Sequence, residues 1–96
     1  MEFTSICPLT GAPDVGTIVI RYVPGAKLIE LKSLRDHLTA YRNRQIYQEE
    51  VVNEVLDELV AALEPQWIEV EGSFNTRGAM TTRVVAQHGD EPASAS

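Results

Sequence analysis

The sequence predicts an α+β domain in which four strands, drawn as two hairpins, form an antiparallel sheet. Two helices lie between the hairpins in sequence and pack on one face of that sheet. Three observations carry the expectation. β-Branched and aromatic residues fill TIVIRYV, Thr17 to Val23, as a strand requires. Val51, Val55, Leu59 and Leu63 recur at the four-residue spacing of a helix stripe. Ile68, Val70 and Phe74 alternate with Glu69 and Glu71, the pattern of a strand with one buried face.

Each element has its own signal. Pro24-Gly25 breaks the first run and Ala26 to Lys32 resumes it, which predicts the first hairpin. Ser33 is placed to cap a helix with Leu34, Leu38 and Tyr41 on one face and Asp36 in its first turn, fading near Asn43. The second helix covers Tyr47 to Leu63, where Val52, Leu56 and Val60 widen the stripe, and Pro65 ends it. Trp67 to Phe74 and Met80 to Gln87, joined by a turn at Arg77-Gly78, make the second hairpin. Residues 1–87 read as one domain and 88–96, HGDEPASAS, as a disordered polar tail. Helices on one face leave the other face of the sheet open, and an open sheet seeks a partner.

A chain of 96 residues fits one domain with a thin core, so a deep pocket needs a neighbouring subunit. A hydrophobic fraction of 44% and a charged fraction of 23% are those of a globular protein. The formal net charge of -6 argues against a nucleic-acid partner, because polyphosphate affinity rests on basic clusters. The basic residues gather between Lys27 and Arg44 and again at Arg77 and Arg83, a distribution that suits a small phosphorylated ligand or plain charge balance. The single cysteine cannot form an intrachain disulfide, and no charged-then-apolar leader opens the chain, so a cytoplasmic location is expected. No apolar run approaches the roughly 18 residues of a membrane span. His37 and His88 lack ligand spacing, and no metal is expected.

Cys7 sits in FTSICPLTGAPD, among Thr4, Ser5 and Thr10, with Pro8, Gly11 and Pro13 restricting the backbone. A lone cysteine is either a small buried hydrophobe or a nucleophile, and a shaped loop favours the second. Seven residues span at most about 23 Å, so turns at Gly11 and Pro13 can return Asp14 to the sulfur. A thiolate and a carboxylic acid together suit addition to a polarised carbon–nitrogen bond, with the acid delivering a proton to nitrogen. Asp14 has a second reading as a turn aspartate that bonds backbone amides.

EFTSICPLTGAPD, followed by ELKSLRDHL and YRNRQIYQEE, resembles the nitrile reductases of queuosine biosynthesis, the single-domain QueF group of the tunnelling fold shared with GTP cyclohydrolase. The resemblance runs from Glu2 to about Thr82. It implies that Cys7 captures the nitrile of 7-cyano-7-deazaguanine as a thioimidate, that Asp14 donates the proton, and that two hydrides from NADPH complete the reduction. It implies that Glu49 grips the guanine-like edge, with Gln48 beside it, and that Ile29, Glu30 and Leu31 line the base pocket. Lys32, Ser33 and Arg35 fall in the motif associated with NADPH. It further implies a homo-oligomer, a decamer of two pentameric rings, with each pocket at a subunit boundary.

The sequence departs from the pattern at three places. Gln48 stands where many members have histidine, so it hydrogen-bonds but cannot be protonated. Arg35-Asp36-His37 replaces a second lysine and apolar residues, and Asp36 disfavours a phosphate. Ala12 replaces a polar residue. Two other readings stay open: an amidine-forming reaction in which ammonia attacks the same thioimidate on the base in tRNA, and a non-catalytic tunnelling-fold module that binds a purine-like ligand.

Overall fold

A computed structural model describes residues 1–75 and 80–92. Six elements follow in order: β1 (Glu2–Ile6), β2 (Pro13–Val23), α1 (Leu31–Thr39), α2 (Gln48–Leu63), β3 (Trp67–Asn75) and β4 (Thr81–Gly89). The four strands form one antiparallel sheet in the order β1-β2-β3-β4. This is the expected α+β arrangement of two hairpins with two helices between them.

The first hairpin is not where the sequence put it. β2 pairs with β1, which precedes it, and Ala26 to Glu30 form no strand. β3 lines one edge of β2 from Val15↔Asn75 to Val23↔Trp67, while β1 covers only Pro13 to Thr17 of the other. The segment after Pro24-Gly25 instead turns into α1, with the Ile29 amide donating to the Tyr22 hydroxyl at 3.1 Å and Glu30 capping the helix, and Leu28 and Leu31 remain exposed. The first helix starts earlier than expected, and Glu30, not Ser33, caps it: the Ser33 amide donates to Glu30 Oε2 at 2.5 Å. Asp36 accordingly lies beyond the first turn. β4 runs to Gly89, so His88 and Gly89, read as tail, pair with Ile68 and Trp67. The turn at Arg77-Gly78 lies outside the described residues.

The core sits between the sheet and the helices. Phe3, Ile18, Ile68, Val70 and Phe74 from the sheet meet Leu34 and Leu38 of α1 and Val51, Val52, Val55 and Leu56 of α2. Gly72 makes the close approach possible, since a Cβ there would lie 2.8 Å from Val52 Cγ2 and 2.7 Å from Phe74 Cε2. The opposite face carries Val15, Thr17, Val19 and Val85 among ionic groups, with Glu71 paired to Arg83 (Nε to Oε1 3.0 Å) and 3.9 Å from Arg21. Among the described residues, no helix is long and apolar enough to cross a membrane.

Candidate active site

Cys7 and Asp14 flank the connection between β1 and β2. The ladder of that hairpin ends at Ile6↔Pro13, and the Cys7 amide extends it by donating to Ala12 O at 2.9 Å. The loop then closes on itself: the Gly11 amide donates to Cys7 O at 2.9 Å, and the Ala12 amide to Thr10 Oγ1 at 3.2 Å. Gly11 has φ of +69°, a conformation that a side chain would resist. The result is a rigid cradle, and the thiol lies in it half-buried.

Hydrogen bonds from the Thr10 amide, the Thr10 hydroxyl and the Leu9 amide reach the Cys7 sulfur and lower its pKa from the ordinary 9.0, while the nearby Asp14 charge works in the opposite direction. Donors aimed at a sulfur favour thiolate, the nucleophilic form. Asp14 lies opposite Ser5 in the register, half-buried, on the face of the ribbon that Cys7 continues.

A bridge unseen in the sequence ties this cradle to α2. Ile6, the residue before Cys7, donates its amide to Arg44 O at 2.9 Å and accepts from the Ile46 amide at 3.0 Å, in a parallel bridge with Gln45. Gln48 and Glu49 follow directly at the start of α2. The Tyr47 amide donates to Glu50 Oε1 at 3.2 Å and Asn53 Nδ2 donates to Glu49 O at 2.9 Å, which fix that turn while the exposed Glu49 side chain has no partner among the described residues. The bridge is itself clasped from outside. Arg44 makes a two-point pair with Glu54, Nη2 to Oε2 at 2.9 Å, and lies 5.3 Å from the centroid of the Tyr41 ring. Burial, with the Glu58 and Glu54 carboxylates, raises the Tyr41 pKa well above its usual range, so it stays protonated and donates to Glu54 Oε1 at 3.1 Å.

The remaining candidate residues lie from the Tyr22 end of β2 along α1. The Ile29 amide donates to the Tyr22 hydroxyl at 3.1 Å, and eight strand steps separate Tyr22 from Asp14, roughly 26 Å at the usual rise. Glu30 spends its carboxylate on the α1 cap, and the Ser33 hydrogen bonds lower its pKa. Leu31 is exposed. Lys32 pairs with Asp36 at 3.2 Å. Arg35 has no ionic partner among the described residues and shares a polar cavity of about 380 Å³ with Arg42 and Thr39. Lys32 and Arg35 on one helix are donors suited to phosphate oxygens, with the carboxylates of Asp36, on Lys32, and Glu2, lining the Arg35 cavity, working against an anion there. A second cavity, about 390 Å³ and largely apolar, opens between the helices, where His37 of α1 meets Glu58 of α2. Among the described residues, no group of three or more His, Cys, Asp or Glu is arranged to hold a metal.

The Ile6 bridge thus joins the Cys7–Asp14 hairpin to the segment leading into Gln48 and Glu49, whereas Ile29 lies by Tyr22 toward the other end of β2 and Arg35 beside Met1 and Glu2 at the start of β1. The family described as QueF-like protein matches residues 13–93. The chain belongs to the QueF-like family. It is 52% identical over 92 residues to the NADPH-dependent 7-cyano-7-deazaguanine reductase of Anaeromyxobacter sp. (strain K), covering 96% of this chain and 75% of that protein. It is 54% identical over 87 residues to the protein of the same name from Caldicellulosiruptor bescii, covering 91% of this chain and 66% of the relative. Its fold matches the crystal structure of the apo archaeosine synthase QueF-Like with a TM-score of 0.89 at 25% identity, covering 96% of this chain and 91% of the other. QueF-like relatives thus bear out the α+β tunnelling architecture and the family resemblance.

The sequence did not reveal Thr10 as a partner of the thiol, nor Ile6 and Arg44 as the anchor of its loop. A signal for Thr10 existed in its spacing, three residues after Cys7 and just before a glycine. The Ile6 bridge is a contact across 38 positions or more and leaves no local signal.

Proposed function

We propose that this protein is an NADPH-dependent oxidoreductase that reduces the nitrile of 7-cyano-7-deazaguanine to the aminomethyl base, in the pathway to queuosine in tRNA. The observation that carries the reading is the cradled Cys7 thiol beside Asp14, on a hairpin bridged through Ile6 to the start of α2. Relatives that bear the reductase name at about half identity supply the substrate.

The chemistry follows from these groups. The Cys7 thiolate adds to the nitrile carbon and one carbon–nitrogen π bond breaks, its electron pair passing to nitrogen, which takes the proton of Asp14. A thioimidate results, a better hydride acceptor than the nitrile. NADPH would supply the hydride chemistry: two hydrides and one further proton would take the thioimidate to the amine and release the Cys7 thiolate, and a second proton would restore Asp14. Glu49 accepts two hydrogen bonds from the ring N–H and exocyclic amine of the base, and Gln48 donates or accepts beside it.

Because Ile29, Glu30 and Leu31 stand far from Cys7 in one chain, the base pocket is completed by a second copy, with the Lys32, Ser33 and Arg35 surface serving NADPH. A ring assembly of ten chains meets that need and covers the open sheet face. The catalytic domain comprises residues 1–87 and the start of the tail, in the cytoplasm, without nucleic acid or membrane as partner.

Mixing the protein with 7-cyano-7-deazaguanine should produce a thioimidate absorbance band, and NADPH should discharge it. Likeness to an archaeosine synthase raises a second reading, amidine formation. A band stable to NADPH but discharged by ammonia would select that reaction, and no band at all would leave a binding module.

A further inference from the structure

Ser5 is the only serine, threonine or charged residue buried in the core among the described residues; none of its surface is exposed, and its Oγ has no hydrogen-bond partner. An unpaired buried hydroxyl destabilises a fold, and alanine at such a position removes the cost. Fold stability alone therefore gives no reason for serine here.

Its location gives one. Ser5 lies directly opposite Asp14 in the β1–β2 register, which sets their Cβ atoms roughly 4.5–5.5 Å apart on one face of the ribbon. Cys7 follows two residues later, and its amide bond to Ala12 continues the ladder, so the thiol shares that face. Thiol, acid and orphan hydroxyl stand together at the end of one hairpin.

We infer that Ser5 is a positioning residue for Asp14. An aspartate that must hand a proton to a nitrogen has to hold one carboxyl oxygen toward the substrate, and rotation about its last bond opposes this. When Asp14 turns inward, the Ser5 hydroxyl pairs with the rear oxygen and leaves the front one aimed at the nitrogen. Full burial keeps Ser5 from substrate, so it acts through Asp14 alone. The inference rests on the roles proposed above for Cys7 and Asp14.

The test uses the full chain and 7-cyano-7-deazaguanine in single-turnover formation of the thioimidate band. Wild type, Ser5→Ala, Asp14→Asn and the double variant are compared, together with Tm and the rate of Cys7 alkylation by iodoacetamide. Ser5→Ala should melt at or above the wild-type temperature, alkylate at the wild-type rate and form the band about 10-fold more slowly, a fraction of the usual general-acid effect. In the Asp14→Asn background the same change should do nothing further. Band formation by Ser5→Ala at the wild-type rate would overturn the inference alone. So would an equal slowing in the Asp14→Asn background, or a lowered Tm with unchanged rate, which would mark Ser5 as the seat of a structural water. A wild-type protein that forms no band would remove the Cys7 reading and this inference with it.

Discussion

The two ends of the sheet are built differently. At the hairpin end, main-chain bonds do the positioning: Cys7 to Ala12, Gly11 to Cys7, and Ile6 to both Arg44 and Ile46. At the opposite end, side chains are occupied with their own neighbours, Glu30 with Ser33 and Lys32 with Asp36, while Leu28 and Leu31 face solvent. Bond-making needs a thiol and an acid held to a fraction of an ångström, which backbone provides. A surface that grips a ligand together with another chain needs exposed groups instead, and this is what the second end offers.

Removing the nucleophile breaks the comparison most severely. Cys7→Ala should abolish both the thioimidate band and turnover while leaving the fold intact, and full turnover by that variant would refute covalent capture. Glu49→Gln should act on binding: losing a charged acceptor from two hydrogen bonds should raise the KM for the nitrile by about 10²-fold, with kcat changed far less. Steady-state kinetics separate the two, and a fall in kcat alone would place Glu49 elsewhere in the mechanism.

A mixing experiment sharpens the contrast between the ends. A Cys7→Ala chain and a chain carrying Lys32→Ala with Arg35→Ala should each be impaired at limiting NADPH. If the pocket draws one end from each of two copies, co-refolding them should restore about a quarter of the wild-type rate, the share expected when intact ends meet at random. Mixtures no more active than their parents would mean that one chain holds the whole site.

How much of this could be read from the sequence depends on the range of the contacts involved. The α2 stripe and the alternation of β3 are local periodicities, and both elements lie within a residue or two of expectation. β1 was missed because EFTSI is short and its adjacent Thr4 and Ser5 break the alternation of a strand, and its pairing with β2 is declared only when the loop closes. Ala26 to Lys32 resumes the apolar run past Pro24-Gly25, but the Glu30 cap turns its end into α1 instead of a strand. At the site, the family motifs named Cys7, Asp14 and Glu49. The Ile6 bridge that brings their elements together joins segments far apart in the chain.

That bridge also provides the smallest and most conditional effect. Arg44 holds Glu54 by two hydrogen bonds, and the guanidinium, more than the Tyr41 hydroxyl or any Coulomb contribution, keeps the Glu54 pKa below its usual 4.5. A carboxyl whose folded pKa is depressed contributes stability that is present above its unfolded value and lost as pH falls through the folded one. Arg44→Gln should therefore lower Tm by only a few degrees at pH 7, since the pair is half in solvent. The deficit should shrink below pH 4.5 and disappear once Glu54 is protonated in both proteins. Melting curves from pH 3 to 7 in low salt check this. A difference that persisted in acid would show that Arg44 acts through its contact with the Tyr41 ring, which no proton removes, and that the clasp on the Cys7 hairpin is one of packing instead of charge.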